Sequence, residues 1–157
     1  MFLKKEVMIQ GVKVKQLHFC MDERGKLLEI LRSDDDLFSG FGQAYIATIK
    51  PAVIKGWHLH EKQTDNFCCV KGAVKLVIYD PRQDKNSYKE LKEFLIGEEN
   101  PVLVQIPPGV YHAMQCVGES EAVVLNIPDT PYNHKEPDKY ELDSESSEIS
   151  YDWGKIA

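Results

Sequence analysis

The sequence has no run approaching the about 18 consecutive apolar residues that a membrane-spanning helix requires. No membrane partner is therefore expected. Its first residues include several basic side chains but no apolar stretch of signal-peptide type, so the cytoplasm is the expected location. There is no basic excess either. Lys and Arg number 19 against 25 Asp and Glu, a net charge of -6, which argues against nucleic acid as a partner. A local basic cluster can still hold an anionic small molecule. Cysteine is sparse, and Cys20, Cys68, Cys69 and Cys116 include no Cys-x-x-Cys spacing. A structural zinc site built on cysteine is not expected. The thiols read instead as small apolar side chains in a reducing cytosol, with Cys68 and Cys69 pointing to opposite faces of a strand. No internal repeat is present.

What is present fits one domain. The chain is 157 residues long, and its 43% hydrophobic content is enough for a core. Short strand-like runs dominate: residues 12–19, 26–32, 43–49, 66–70, 73–80, 102–106 and 122–127. Turn clusters separate them at residues 22–25, 39–42, 81–87, 97–101, 107–109 and 118–120. The step at Lys71 and Gly72 reads as a tight hairpin joint. In residues 88–97, Tyr88, Leu91 and Leu95 have helical spacing, yet the segment lies between two turn clusters and is assigned as a strand. Residues 33–39 have room for one helical turn. Many strands with little helix imply an all-β sandwich or barrel. From about residue 128 the chain becomes polar and Pro-rich. Tyr132, Tyr140, Tyr151 and Trp153 punctuate it, so an ordered C-terminal arm is expected rather than disorder. The domain assignment is a single unit over residues 1–157.

The chemistry concentrates in residues 56–72. Gly56, His58, His60, Asp65 and Gly72 follow the pattern G-x-H-x-H-x4-D-x6-G, and His112 follows a Pro-Gly turn forty residues later. Residues two apart on a strand share a face, so His58 and His60 converge on one surface. Trp57 and Tyr111 then face away, as packing residues or dimer contacts. His18 and His134 read as surface residues. The two motifs resemble those of the cupin superfamily, and the resemblance implies a single-domain cupin jelly-roll β-barrel. It also implies that His58, His60, Asp65 and His112 point into that barrel. Three readings of the four residues stay open. They could bind one divalent transition metal (Zn, Fe, Mn or Ni), to which imidazole and carboxylate donors are suited. His58 could act without metal as a general base. The four could also form a hydrogen-bonded polar network.

A longer series of motifs runs over nearly the whole chain. "FCMDERGKLLEI", "FGQAY", "VIKGWHLH", "KGAVKLVIYDPR", "IPPGVYHAM" and "PYNHKEPDKYELD" occur in order. The series resembles the dTDP-4-dehydrorhamnose 3,5-epimerase family. That resemblance implies an isomerase, a sugar-nucleotide epimerase acting on a nucleoside-diphosphate 4-keto-6-deoxyhexose in surface polysaccharide or deoxysugar biosynthesis. It implies a homodimer formed by exchange of N-terminal strands. It places His58 on the base that removes a proton beside the C4 ketone, and His112 on a second active-site histidine. Tyr132 falls near an active-site tyrosine. Arg24, Glu29 and Gln43 fall near the nucleotide, and Lys55 takes the place of an arginine that contacts the diphosphate. The chain departs from the family at three points. Asp65 stands where an enolate-stabilising lysine is expected, Leu125 where a proton-donating tyrosine is expected, and no counterpart is found for a C-terminal aspartate beside the base. An enolate needs a cation, a donor or a metal close to its oxygen, and Asp65 is none of these. The alternatives are a metal-dependent cupin enzyme on another small molecule and a non-catalytic sugar-binding cupin.

Overall fold

The computed structural model describes residues 8–154, and residues 1–7 and 155–157 of the expected single unit lie outside it. Among the described residues there are strands and turns but no helix, hence none long and apolar enough to cross a membrane. The strands are β1 (Lys13–Gln16), β2 (Phe19–Asp22), β3 (Gly25–Leu28), β4 (Tyr45–Ile49), β5 (Ile54–Leu59) and β6 (Asp65–Lys71). They continue as β7 (Ala73–Tyr79), β8 (Leu91–Gly97), β9 (Val102–Ile106), β10 (Tyr111–Cys116), β11 (Ala122–Asn126) and β12 (Tyr140–Glu141).

The chain is folded double. β4 pairs with β11, β5 with β10, β6 with β9 and β7 with β8, all antiparallel. This nested order is that of a jelly roll. Further ladders merge the pairs into two five-stranded sheets, β1-β9-β6-β11-β4 and β12-β5-β10-β7-β8, with β2 and β3 forming a separate hairpin. We call the first the front sheet and the second the back sheet. They stay two distinct ladders among the described residues, a flattened form of the expected barrel.

Side-chain alternation creates three apolar layers. Between the sheets lie Phe67, Cys69, Leu76, Ile78, Val104, Ile106, Met114 and Val124. Outside the front sheet, Cys68, Leu17 and Leu103 pack under Leu28, Ile30 and Leu31. Cys68 and Cys69 thus do face opposite ways, as period-two geometry requires. Outside the back sheet, Trp57, Val77 and Ala113 are covered by Ile149 and Trp153 of the C-terminal arm. Trp57 is fully buried, with the Trp153 ring 5.5 Å and the Tyr151 ring 6.2 Å from its own. Burying one such side chain contributes about 1.5–3 kcal/mol. The arm is therefore part of the folded unit, anchored by Tyr151 and Trp153, while Tyr132 and Tyr140 stay exposed.

Two local expectations need correction. The joint at Lys71 and Gly72 is not a hairpin: β6 lies in the front sheet and β7 in the back sheet. Gly72 turns this corner at φ +72°, where an added Cβ would lie 3.2 Å from Ala122 Cα. Residues 33–39 hold successive turns (Asp35 N to Arg32 O, Phe38 N to Asp35 O) rather than a helical turn. Residues 88–97 supply β8 over Leu91–Gly97, as assigned.

Gly56 sets how closely β5 and β10 approach. Its φ is +126°, and a Cβ there would lie 2.6 Å from Ala113 Cβ and 2.8 Å from the His112 carbonyl oxygen. Gly56→Ala should lower the unfolding free energy toward the upper end of the about 1–3 kcal/mol range for overpacking, read from urea denaturation curves. An unchanged midpoint would show that β5 can shift away without loss.

Candidate active site

The two sheets separate at one end around a cavity of about 640 Å³, a volume suited to a small-molecule ligand. The front sheet contributes Tyr45, Ala47, Phe67, Val124 and Asn126. The back sheet contributes Lys55, His58, His112 and Met114, and the arm contributes Tyr132, His134 and Lys139. Strand register explains the histidines. Glu141 of β12 is opposite His58 of β5, and His58 is opposite His112 of β10. Three ionisable side chains thus stand in one row across the back sheet.

His58 Nε2 lies 3.2 Å from Glu141 Oε1, and its ring centre lies 5.8 Å from that of His112. Burial lowers the His58 pKa, and Lys139 lowers it further, while Glu141 acts the other way. His58 is therefore a neutral imidazole at neutral pH. It donates Nε2–H to Glu141 and keeps a lone pair on Nδ1. His112 is buried, and that burial, with His60 and His58 nearby, holds its pKa well below the ordinary value.

Asp65 is the buried carboxylate of the site, 1% exposed. Its Oδ1 accepts from Gln63 Nε2 at 2.7 Å and from Asn126 Nδ2 at 2.8 Å. Its Oδ2 lies 3.5 Å from His60 Nε2 and 3.8 Å from His112 Nε2. Desolvation raises its pKa, against the pull of His60 and the two amides.

Asp138 holds the loop that follows β5. Its carboxylate accepts from the backbone N–H groups of Glu61 (2.8 Å), Lys62 (2.9 Å) and Gln63 (3.1 Å). Its backbone carbonyl accepts Nδ1–H of His60. That bond fixes the His60 tautomer and turns Nε2 toward Asp65. Partial burial raises the Asp138 pKa, but the three backbone donors outweigh it, so the net shift is downward.

One atom each from His60, Asp65 and His112 lies within 4.8 Å of the other two. The His60 bond to a backbone carbonyl is the outer-shell support that metal-bound histidines usually have. His112 Nδ1 is buried with no hydrogen-bond partner among the described residues. These residues could hold an ion through three donors. The fourth expected donor, His58, is engaged with Glu141 instead.

Of the other expected site residues, Gln43, Lys55 and Tyr132 line the cavity with His58 and His112. Arg24 and Glu29 do not line the cavity of the single chain. Arg24 sits at the tip of the β2–β3 hairpin, its side chain 83% exposed and paired with Asp22. Glu29 pairs with Arg32 on the surface. The hairpin forms its own sheet and has no ladder to either cavity wall. Leu125 shares its face with Cys68 and points out of the cavity. His134 is exposed as expected but stands on the cavity rim, 4.7 Å from the Tyr132 ring. Glu141, Lys139, Tyr45 and Asn126 were missed. Tyr45 had a signal, because it lies two residues from Gln43 and shares its face. Lys139 and Glu141 had only their mutual spacing of two.

Comparison with known proteins places these residues in context. The family model described as "Polysaccharide biosynthesis C-terminal domain" matches residues 20–140. The spore coat polysaccharide biosynthesis protein SpsL of Bacillus subtilis is 37% identical over 93% of this chain and 97% of its own length. The probable low-salt glycan biosynthesis epimerase Agl13 of Haloferax volcanii is 35% identical over 92% of this chain and 94% of its own. The crystal structure of a dTDP sugar isomerase from Desulfovibrio desulfuricans superposes with a TM-score of 0.88 at 27% identity, covering 92% of each chain. Solved dTDP-4-dehydrorhamnose 3,5-epimerases, at 22% identity or less, share the fold.

Asp138→Ala should cost about 1.5–3 kcal/mol of stability, the range for hydrogen bonds to a charged group. It should also speed amide hydrogen exchange at Glu61, Lys62 and Gln63. Unchanged protection at those amides would show that the loop holds without the clasp.

Proposed function

This chain belongs to the polysaccharide biosynthesis C-terminal domain family, and we propose that it is an isomerase, an epimerase of a nucleoside-diphosphate 4-keto-6-deoxyhexose in surface polysaccharide or deoxysugar biosynthesis. The observation that carries this reading is His58: a neutral imidazole on the cavity wall, backed by Glu141. Relatives named as a glycan biosynthesis epimerase and a dTDP sugar isomerase support the reaction class.

His58 takes the proton from a ring carbon beside the ketone. Glu141 orients the ring and offsets the positive charge that forms on it. The electron pair of the broken C–H bond moves toward the ketone oxygen, which then needs a positive partner. Lys139, from the arm, lines the same cavity and is ion-paired with Glu141; it supplies that charge where the resemblance leads one to expect the lysine now replaced by Asp65. Gln43 and Lys55 also suit the nucleotide end, where anionic oxygens make strong charge-assisted bonds. His60, Asp65 and His112 would hold a divalent Zn, Fe, Mn or Ni ion, which when bound supplies Lewis-acid polarisation of an oxygen. The exposed Met21 and Leu27 of the β2–β3 hairpin suit a homodimer contact through the N-terminal strands, the arrangement in which Arg24 and Glu29 would meet a partner's cavity. The cytoplasm suits its free thiols.

Two measurements test the reading. With a nucleotide-linked 4-keto-6-deoxyhexose in heavy water, NMR should show deuterium entering at C3, at C5 or at both. His58→Ala should slow that entry by about 10²–10⁴-fold. No entry with any of several nucleotide sugars, with or without added metal, would favour a sugar-binding module instead. Separately, protein purified without chelator or affinity metal should carry close to one transition-metal ion per chain by elemental analysis, and His60→Ala should lose it. Metal far below one per chain, even after soaking, would leave His60, Asp65 and His112 as a hydrogen-bonded network.

A further inference from the structure

Removing a proton by His58 settles only half of an inversion. The carbon must receive a proton on its opposite face. His58 stands on the back sheet, so a donor to that face belongs on the front sheet, across the cavity. The position where the family resemblance places a tyrosine is closed, because Leu125 points outward. The front-sheet side chains that line the cavity come from β4, β6 and β11. Among them only Tyr45 carries an acidic hydrogen on an otherwise apolar or amide surface of Ala47, Ile49, Phe67, Val124 and Asn126.

The hydrogen bonding around Tyr45 leaves that hydrogen uncommitted. Asn126 Oδ1 accepts the backbone N–H of Asn66 at 2.9 Å, which settles the orientation of the Asn126 amide. Asn126 Nδ2 donates to Asp65 Oδ1 at 2.8 Å and to the Tyr45 hydroxyl oxygen at 2.9 Å. Tyr45 is therefore an acceptor in that bond, and its own O–H points elsewhere. No acceptor for it is present among the described residues. The residue is 42% exposed and lines the cavity, so it can reach a ligand. Asn126, buried and held at both ends, supplies a fixed donor to the oxygen once its proton has left.

We propose that Tyr45 is the acid of this site and delivers its hydroxyl proton to the ring carbon on the face opposite His58. The assignment rests on the epimerase reading above. The step balances. His58 Nδ1 takes the C–H proton, the bond pair becomes the enolate C=C, and the carbonyl pair moves onto oxygen. Tyr45 then gives its proton to the same carbon. The C=C pair forms the new C–H bond, the ketone reforms, and Tyr45 is left as tyrosinate accepting from Asn126. Solvent returns the imidazolium proton to the tyrosinate. Tyr132 is the rival donor, but it comes from the arm and packs edge-on against His134.

The test separates proton removal from inversion. In heavy water, one NMR experiment reads deuterium entry at the ring carbon and the stereochemistry of the product. Wild type should show both. Tyr45→Phe keeps the ring and its packing, and it should lower the ratio of inversion to deuterium entry by about 10²-fold or more. Tyr132→Phe should leave that ratio near the wild-type value. An unchanged ratio in Tyr45→Phe, or a collapse in Tyr132→Phe instead, would overturn the assignment while leaving the epimerase reading standing. Wild type with no deuterium entry would overturn both.

Discussion

The clasp formed by Asp138 is the contact on which the site depends. Its carboxylate gathers three successive backbone N–H groups of the β5–β6 loop, while its carbonyl takes the proton of His60 Nδ1. Immediately after it the chain adds β12 to the edge of the back sheet, with Glu141 opposite His58. One residue thus joins the arm to the barrel wall, sets a histidine tautomer and delivers Glu141 and Lys139. These contacts are worth more together than singly, because each removes freedom that the next would otherwise have to remove.

Around that clasp, desolvation governs the charge state. A cavity that held three charged imidazoles would be strongly disfavoured by burial and by mutual repulsion. The observed arrangement avoids this. His112 is neutral because it is buried, and His58 is neutral because it is half-buried near Lys139. Asp65 keeps its position through two amide donors rather than through a full ion pair. Neutral imidazoles have lone pairs to offer, to a proton or to a metal. The same burial that stabilises the sandwich therefore prepares the site.

Much of this was legible in the sequence, for local reasons. Period-two spacing placed His58 and His60 on one face, sent Trp57 to the other and divided Cys68 from Cys69. The aromatics of the arm announced an ordered tail. What escaped depends on long-range pairing. Nothing near Gly72 reveals that β6 and β7 belong to different sheets, since the partners of β6 are β9 and β11. Glu141 meets His58 only through the β12–β5 ladder, which joins segments far apart in the chain. Arg24 and Glu29 matched a motif, yet the β2–β3 hairpin that carries Arg24 and leads into Glu29 pairs only with itself. Asn126 and Tyr45 become a unit only when β11 is set against β4.

The nested pairing of the strands also ranks the entropic cost of closing each pair. Loop entropy grows with the length of chain enclosed. β7 and β8 enclose the shortest segment, so their pairing is the least costly to begin. Each completed pair shortens the loop that the next must close, so the cost of closing β6–β9, β5–β10 and β4–β11 falls once the pair inside it is in place. Tyr45 and Asn126 lie on the outermost pair, and Asp138 and Glu141 come later still in the chain. The apolar centre draws on that same outermost pair through Ile49, Ala122 and Val124. A molecule that has completed its core has therefore completed the front wall of its pocket as well.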